Sequence, residues 1–140
     1  MNIRRAKEKD IERLMELLGQ VLQIHADIRP DIFIPGTTKY TKDELAEMIK
    51  DDTKPIYVAV DEKDDCLGYA FCQLRKQPFS ENMIPFTALF IDDLCVDAKT
   101  RGQHIGEHLF EYVKEEAKRL GCYEVTLNVW AGNTSAEKFY

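Results

Sequence analysis

Three groups of residues in this sequence have the types and spacing to do chemistry. The first is the run Arg101-Gly102-Gln103-His104-Ile105-Gly106, which stands between an apolar segment and a helix-like segment. A tight turn entering a helix leaves backbone N–H groups without intrahelical partners and adds the positive end of the helix dipole, which together make a phosphate site. Glycine in such a turn lets the phosphate reach the backbone. The same residues also fit a plain strand-to-helix connection. The second group is Asp92-Asp93, set inside the apolar run 86–96. A carboxylate there is costly unless partnered, so these acids either serve a site that needs their charge or make a structural hydrogen bond. Adjacent strand residues point to opposite faces, so one of the two is expected to face a cleft. The third is the tail from Asn133 to Tyr140. The Tyr140 phenol, with an unperturbed pKa of about 10, stays protonated at neutral pH and could donate a proton. Its alternative is a core aromatic beside Phe139.

The elements that must position these groups follow from periodicity. Residues 2–5 read as a first strand. Ile11, Leu14, Met15, Leu18, Val21 and Leu22 mark an amphipathic helix. Residues 29–38, with Pro30, Pro35 and Gly36, read as a loop. Thr41 and Glu44 form a capping box opening a helix whose inner face carries Leu45, Met48 and Ile49. Strands are expected over 56–60 and 67–74, joined by the charged turn 61–65, which reads as a solvated hairpin tip. A loop at 77–85 precedes the long strand 86–96. Ile105, Leu109, Phe110, Val113, Ala117 and Leu120 recur at helical spacing, with Lys118 and Arg119 in the last turn and Gly121 as the stop. Residues 123–129 alternate as a strand, and Asn133 caps a final helix. The order β-α-α-β-β-β-α-β-α implies one α/β domain with a mixed sheet over residues 1–140.

Composition narrows the function. The chain has 140 residues, 44% hydrophobic and 31% charged, which suits one domain with a real core. A formal net charge of −6 argues against nucleic-acid or anionic-membrane binding. No apolar run approaches the roughly 20 residues of a membrane span, and the charged start 1–10 lacks a signal-peptide core. Cys66, Cys72, Cys95 and Cys122 form no C-x-x-C pair and read as reduced cytoplasmic thiols. Cys95 reads as a small core residue rather than a nucleophile. His104 and His108 are spaced four apart, but no third ligand accompanies them, so no metal site is expected.

Loop, flanking elements and tail together resemble the GNAT family of acetyl-CoA-dependent N-acetyltransferases, in element order over nearly the whole chain. The family's loop pattern is Q/R-x-x-G-x-G/A. Arg101 and Gly106 match it, while His104 takes the place of the middle glycine. Ile91-Asp92-Asp93-Leu94-Cys95-Val96 is similar to the family's fourth strand. Asn133-Thr134-Ser135-Ala136-Glu137-Lys138-Phe139-Tyr140 is similar to its N-x-x-A-x-x-F-Y segment. The dinucleotide fingerprint does not fit, because the loop comes late in the chain, and the Walker lysine is missing.

The resemblance implies a GNAT-like mixed central sheet with helices on both faces, and acetyl-CoA as co-substrate. It implies that backbone groups of Leu94, Cys95 and Val96 bond the pantetheine amides, with the N–H near Leu94 facing the thioester oxygen. Arg101, Gly102, Gln103, His104, Ile105, Gly106 and Glu107 would hold the pyrophosphate, and Asn133 the pantetheine arm. Tyr140, Asp92 and Asp93 would be catalytic, and Trp130 would line the acceptor pocket or pack on the rim. The acceptor would be a primary amine of a small molecule or peptide, and the adjacent acids make the strand similar to that of diamine acetyltransferases. Family members continue past the Phe-Tyr pair with two more strands, so the expected sheet lacks its last strands and a homodimer partner is one way to cover the open edge. The alternative is a non-catalytic CoA-binding or interaction module of the same fold. A more distant third is a nucleotide-binding regulator.

Overall fold

The protein is described from a computed structural model that covers residues 1–28, 31, 40–76, 87–100 and 103–127. Five strands form one mixed sheet: β1 (Asn2–Arg5), β2 (Ile56–Val60), β3 (Cys66–Lys76), β4 (Thr87–Val96) and β5 (Glu124–Leu127). They lie in the order β1-β2-β3-β4-β5. The first four are antiparallel neighbours, and β5 alone runs parallel to β4. A parallel neighbour requires a crossover, which helix α3 (Ile105–Arg119) supplies. Helices α1 (Ile11–Ile28) and α2 (Lys42–Lys50) cover the other face. The expected loops 29–38 and 77–85, apart from Asp31, and the expected final helix lie outside the described residues.

Strand alternation sorts the core into two layers. Val58, Val60, Tyr69 and Phe71 pack under Leu14, Leu17 and Leu45 of α1 and α2. Tyr57, Ala59, Ala70, Leu89 and Ile91 pack under Ile105, Leu109, Val113 and Ala117 of α3. The four α3 residues recur at i+4 and all are buried, so one stripe of the helix meets the sheet. The ends of these helices are set by local chemistry. The Thr41 hydroxyl accepts from the Glu44 N–H at 3.1 Å, and the Glu44 carboxylate accepts from the Thr41 N–H at 3.1 Å, which completes the capping box. At the end of α3, Gly121 takes φ +74°, and the N–H groups of Gly121 and Cys122 return to the carbonyls of Lys118 and Ala117. That is a Schellman motif.

The hairpin tip 61–65 is more than a solvated turn. Asp64 adopts φ 65° and meets both Arg4 and Lys9. Arg4 also forks onto the buried Asp10 at 2.8 and 3.1 Å. Lys9, then Arg4, pull the Asp64 carboxyl down to about 2. The network ties the β2–β3 tip to β1 and to the start of α1.

Gly68 sets how closely α3 approaches the sheet. A Cβ there would lie 2.8 Å from the Cys95 carbonyl oxygen and 3.2 Å from Leu109 Cδ1. Gly68→Ala is therefore expected to lower stability by about 1–3 kcal/mol through overpacking. Urea denaturation followed by circular dichroism checks it, and an unchanged midpoint would show that β4 and α3 can shift apart freely.

Candidate active site

Strand β4 carries the acids, and its pairing with β3 decides where they point. Phe71 stands opposite Asp93, but Cys72 stands opposite Ile91. Asp92 is the extra residue of a β-bulge, which re-aims the chain that follows it. Both carboxylates consequently meet the aromatic cluster under α1 and α2. The Tyr69 hydroxyl donates to Asp93 Oδ2 at 2.8 Å, and the Tyr40 hydroxyl donates to Asp92 Oδ2 at 3.2 Å. Tyr40 stacks on Phe71 at 5.6 Å, and Tyr69 meets Phe71 edge-on at 4.9 Å. The expectation that alternation separates the two acids is thus corrected: the bulge absorbs one residue, and both acids address one face.

Burial changes at the same point. Residues 88–91 are buried, whereas Asp92, Asp93 and Leu94 are half-buried. Burial, and then the nearby Asp93 charge, push the Tyr69 phenol well above its ordinary value, so it stays a proton donor to Asp93. Past the bulge, Leu94 and Val96 pack toward α3, while Cys95 joins the opposite core layer. The described pairing of β4 with β5 ends at Ile91 and Leu127. Residues 92–96 therefore continue beyond the last described β4–β5 pair, still bonded to β3 on their other side.

The second candidate region lies where β4 hands over to α3. His104 is the N-cap residue and sits at φ 59°, ψ 22°, in the left-handed region that favours glycine. This explains why a glycine would suit the position. Its side chain makes no cap hydrogen bond. The first helical bond is His108 N–H to His104 O, at 3.0 Å. The amides of Ile105, Gly106 and Glu107 lie in the first turn of α3, before the His108–His104 bond, where N–H groups can meet an anion. Gln103, His104 and Glu107 are exposed, Gly106 is half-buried, and Ile105 is buried as the first core residue of α3. The Glu107 carboxylate lies 3.2 Å from His104 Nδ1. A left-handed non-glycine residue costs about 1 kcal/mol or more. Glycine's extra freedom in the unfolded chain offsets part of the relief. His104→Gly is accordingly expected to change stability by under about 1 kcal/mol and to bind CoA as well as the natural chain or better. Calorimetry checks this, and weaker binding would show that the imidazole itself contacts phosphate.

Just upstream, Asp97 is buried at 5% exposure and anchors the entry to the loop. Its Oδ1 accepts the Lys99 N–H at 3.1 Å, and its Oδ2 meets Arg13 of α1. Burial alone would raise this carboxyl, but the Lys99 amide and the Arg13 guanidinium outweigh it and hold it below its ordinary value.

Of the sequence-based site residues, the structure brings Asp92, Asp93, Leu94, Cys95 and Val96 onto one strand that runs toward Gln103, His104, Ile105, Gly106 and Glu107. Arg101, Gly102, Trp130, Asn133 and Tyr140 lie outside the described residues. Tyr40, Tyr69, Arg13 and Asp97 escape sequence reasoning. Only Asp97 had a local signal, as an Asx-type cap directly after a strand and before the short 3₁₀ turn Ala98–Thr100. Among the described residues, no three His, Cys, Asp or Glu side chains gather into a metal-binding group, and no helix is long and apolar enough to cross a membrane. The four cysteines are not joined in disulfides.

The chain is similar to several known proteins. The model of the acetyltransferase (GNAT) family matches residues 18–140. A peptidyl-lysine N-acetyltransferase, YjaB of Salmonella typhimurium, is 27% identical over 142 residues, covering 100% of this chain and 79% of its own length. A glucosamine 6-phosphate N-acetyltransferase of Arabidopsis thaliana is 37% identical over a stretch of 38 residues, 27% of this chain and 26% of that protein. Among solved structures, a mutant of the BH1408 protein of Bacillus halodurans superposes with a TM-score of 0.92 at 29% identity, covering 100% of this chain and 89% of the other. An acetyltransferase of Vibrio fischeri superposes with a TM-score of 0.75 at 25% identity, covering 93% and 97%.

Proposed function

The chain belongs to the GNAT acetyltransferase family, and from that premise we propose that residues 1–140 act as one domain that moves an acetyl group from acetyl-CoA to a primary amine by direct attack in a ternary complex. The family and its relatives make the chain an acyltransferase. The observation that carries the finer reading is the β4 bulge. It sets two carboxylates on one face of a strand that leads to the positive end of α3.

The residues fit the co-substrate at both ends. The amides of Gly102, Gln103, His104, Ile105, Gly106 and Glu107, with Arg101, bind the pyrophosphate at the helix N-terminus. The β4 backbone at Leu94, Cys95 and Val96 bonds the pantetheine amides, with Asn133 on the other side of the arm. An N–H near Leu94 aimed at the thioester oxygen contributes a few kcal/mol to the transition state.

The acceptor amine is held at Asp92 and Asp93, one of which takes its proton. The amine nitrogen bonds to the acetyl carbon as the carbon–sulfur bond breaks, the Tyr140 hydroxyl supplies the proton to the departing thiolate, and the second nitrogen proton, lost as the amide forms, restores the phenol through solvent. No acyl-cysteine is needed. Burial pushes the Cys66 and Cys72 thiols up to about 12, and Cys95 lies in the core. The acceptor is a small molecule or a peptide. Both curated relatives are named for primary amines, a lysine side chain and an amino sugar phosphate, which supports that class here. The paired acids favour a cationic amine.

Initial-rate kinetics with both substrates varied test the direct route. Intersecting reciprocal plots are expected for a ternary complex. Parallel lines would mean that an acetylated enzyme forms first, and would overturn this reading.

A further inference from the structure

We propose that the Arg13–Asp97 ion pair is a positioning device for the pyrophosphate loop, through which helix α1 sets acetyl-CoA affinity without touching the ligand. The inference rests on the reading of the α3 N-terminus as the phosphate site.

Asp97 is committed at every polar atom. Its N–H donates to the Leu67 carbonyl on β3 at 2.8 Å. Its carbonyl accepts the Thr100 N–H at 3.0 Å and the Thr100 hydroxyl at 3.1 Å. Oδ1 accepts the Lys99 N–H at 3.1 Å, and Oδ2 meets Arg13 Nη2. Together these bonds fix the chain from 97 to 100, immediately before the loop that begins at Arg101. Arg13 is held just as firmly. Its Nε donates to the Cys66 carbonyl at 3.0 Å, and its Nη1 pairs with Glu16 at 2.7 Å. The guanidinium thus joins α1, the start of β3 and the end of β4 at one point.

A strand end and a short turn do not by themselves need a buried charge. An uncharged asparagine would cap the Lys99 amide as well. Burying a carboxylate is costly unless it is paired. Among the described residues, only Asp10 and Asp97 are buried polar or charged residues, and Asp10 is accounted for by its fork with Arg4 and its bond to the Lys7 N–H. The pairing of Asp97 with Arg13 spans 84 positions and lies at the entry to the anion site. A charged, directional tie there holds residues 97–100 in place before the ligand arrives, so less order is lost at that point on binding.

The test separates positioning from general support by comparing two probes. CoA carries the pyrophosphate, whereas pantetheine has the same thiol arm without it. The variants are Arg13→Met, which keeps an apolar stem, Asp97→Asn, which keeps the Lys99 cap, and Arg13→Lys, which restores the charge. Calorimetry should show CoA binding weakened on the order of tenfold, about 1.4 kcal/mol, by Arg13→Met and by Asp97→Asn. Pantetheine binding should stay unchanged, and Arg13→Lys should recover part of the loss. The double variant should be no worse than the weaker-binding single, because the two residues act as one unit. Equal loss for both probes would make the pair a general structural support and overturn the proposal, as would unchanged CoA binding in folded variants. If Asp97→Asn fails to fold, the two Arg13 variants carry the test. If the natural chain binds no CoA at all, the phosphate-site reading fails first, a result distinct from natural binding that the variants leave unaltered.

Discussion

Tyr140→Phe is expected to lower kcat by about 10²–10⁴-fold, the usual loss when a general acid is deleted, with little change in acetyl-CoA affinity. The substitution removes one oxygen and keeps the ring, so it isolates the hydroxyl. The expectation comes from the family motif and from helix geometry. Tyr140 follows Asn133 by seven positions, close to two turns at 3.6 residues each, so the two side chains would project from nearly one face. With Asn133 on the pantetheine arm, as the family motif implies, Tyr140 would fall further along, toward the sulfur. A thiolate leaving group has a proton to gain, and a phenol that is still protonated at neutral pH can give it. Steady-state kinetics of the full chain, with calorimetry on CoA, check both halves. Natural kcat in the variant would remove Tyr140 from the chemistry and leave a water as the acid.

At least one of Asp92→Asn and Asp93→Asn is expected to cut kcat/KM for the amine by about 10²-fold or more while CoA binding is spared. Asparagine keeps the size and still accepts the Tyr40 or Tyr69 hydroxyl bond, so the change isolates the charge and the ability to take a proton. Asp93 is the better oriented acid, with Tyr69 at 2.8 Å against 3.2 Å from Tyr40 to Asp92. Both acids lie on the aromatic face, so they act on one acceptor, and the double variant should lose less than the product of the single losses. If both single variants keep natural kinetics, the acids only hold the aromatic cluster in place, and the preference for cationic amines loses its support.

Where local chemistry decides structure, the sequence was sufficient. The Thr41–Glu44 capping box, the Gly121 helix stop and the i+4 stripe of α3 are written within a few residues and lie where the periodicity puts them. The strand 67–74 is longer than its pattern suggested, spanning Cys66–Lys76, because pairing with β4 carries it past the end of the apolar run. The bulge at Asp92 could not be foreseen. It is a property of the register between β3 and β4, and it reverses the face on which Asp93 and everything after it stand. The partners that orient the acids are equally remote, 52 positions away for Tyr40 and 24 for Tyr69. His104 is the instructive middle case. It departs from the glycine pattern, but its positive φ shows this position keeping the backbone shape that glycine serves.

The most direct test of the account is release of free thiol from acetyl-CoA by the natural chain across a panel of primary amines: polyamines, lysine peptides, amino sugars and amino acids. The account predicts thiol release that rises with at least one class of amine and matches, mole for mole, the acetylated amine formed. CoA binding with no amine able to raise thiol release above the amine-free rate would contradict it and make the chain a CoA-binding module rather than a transferase.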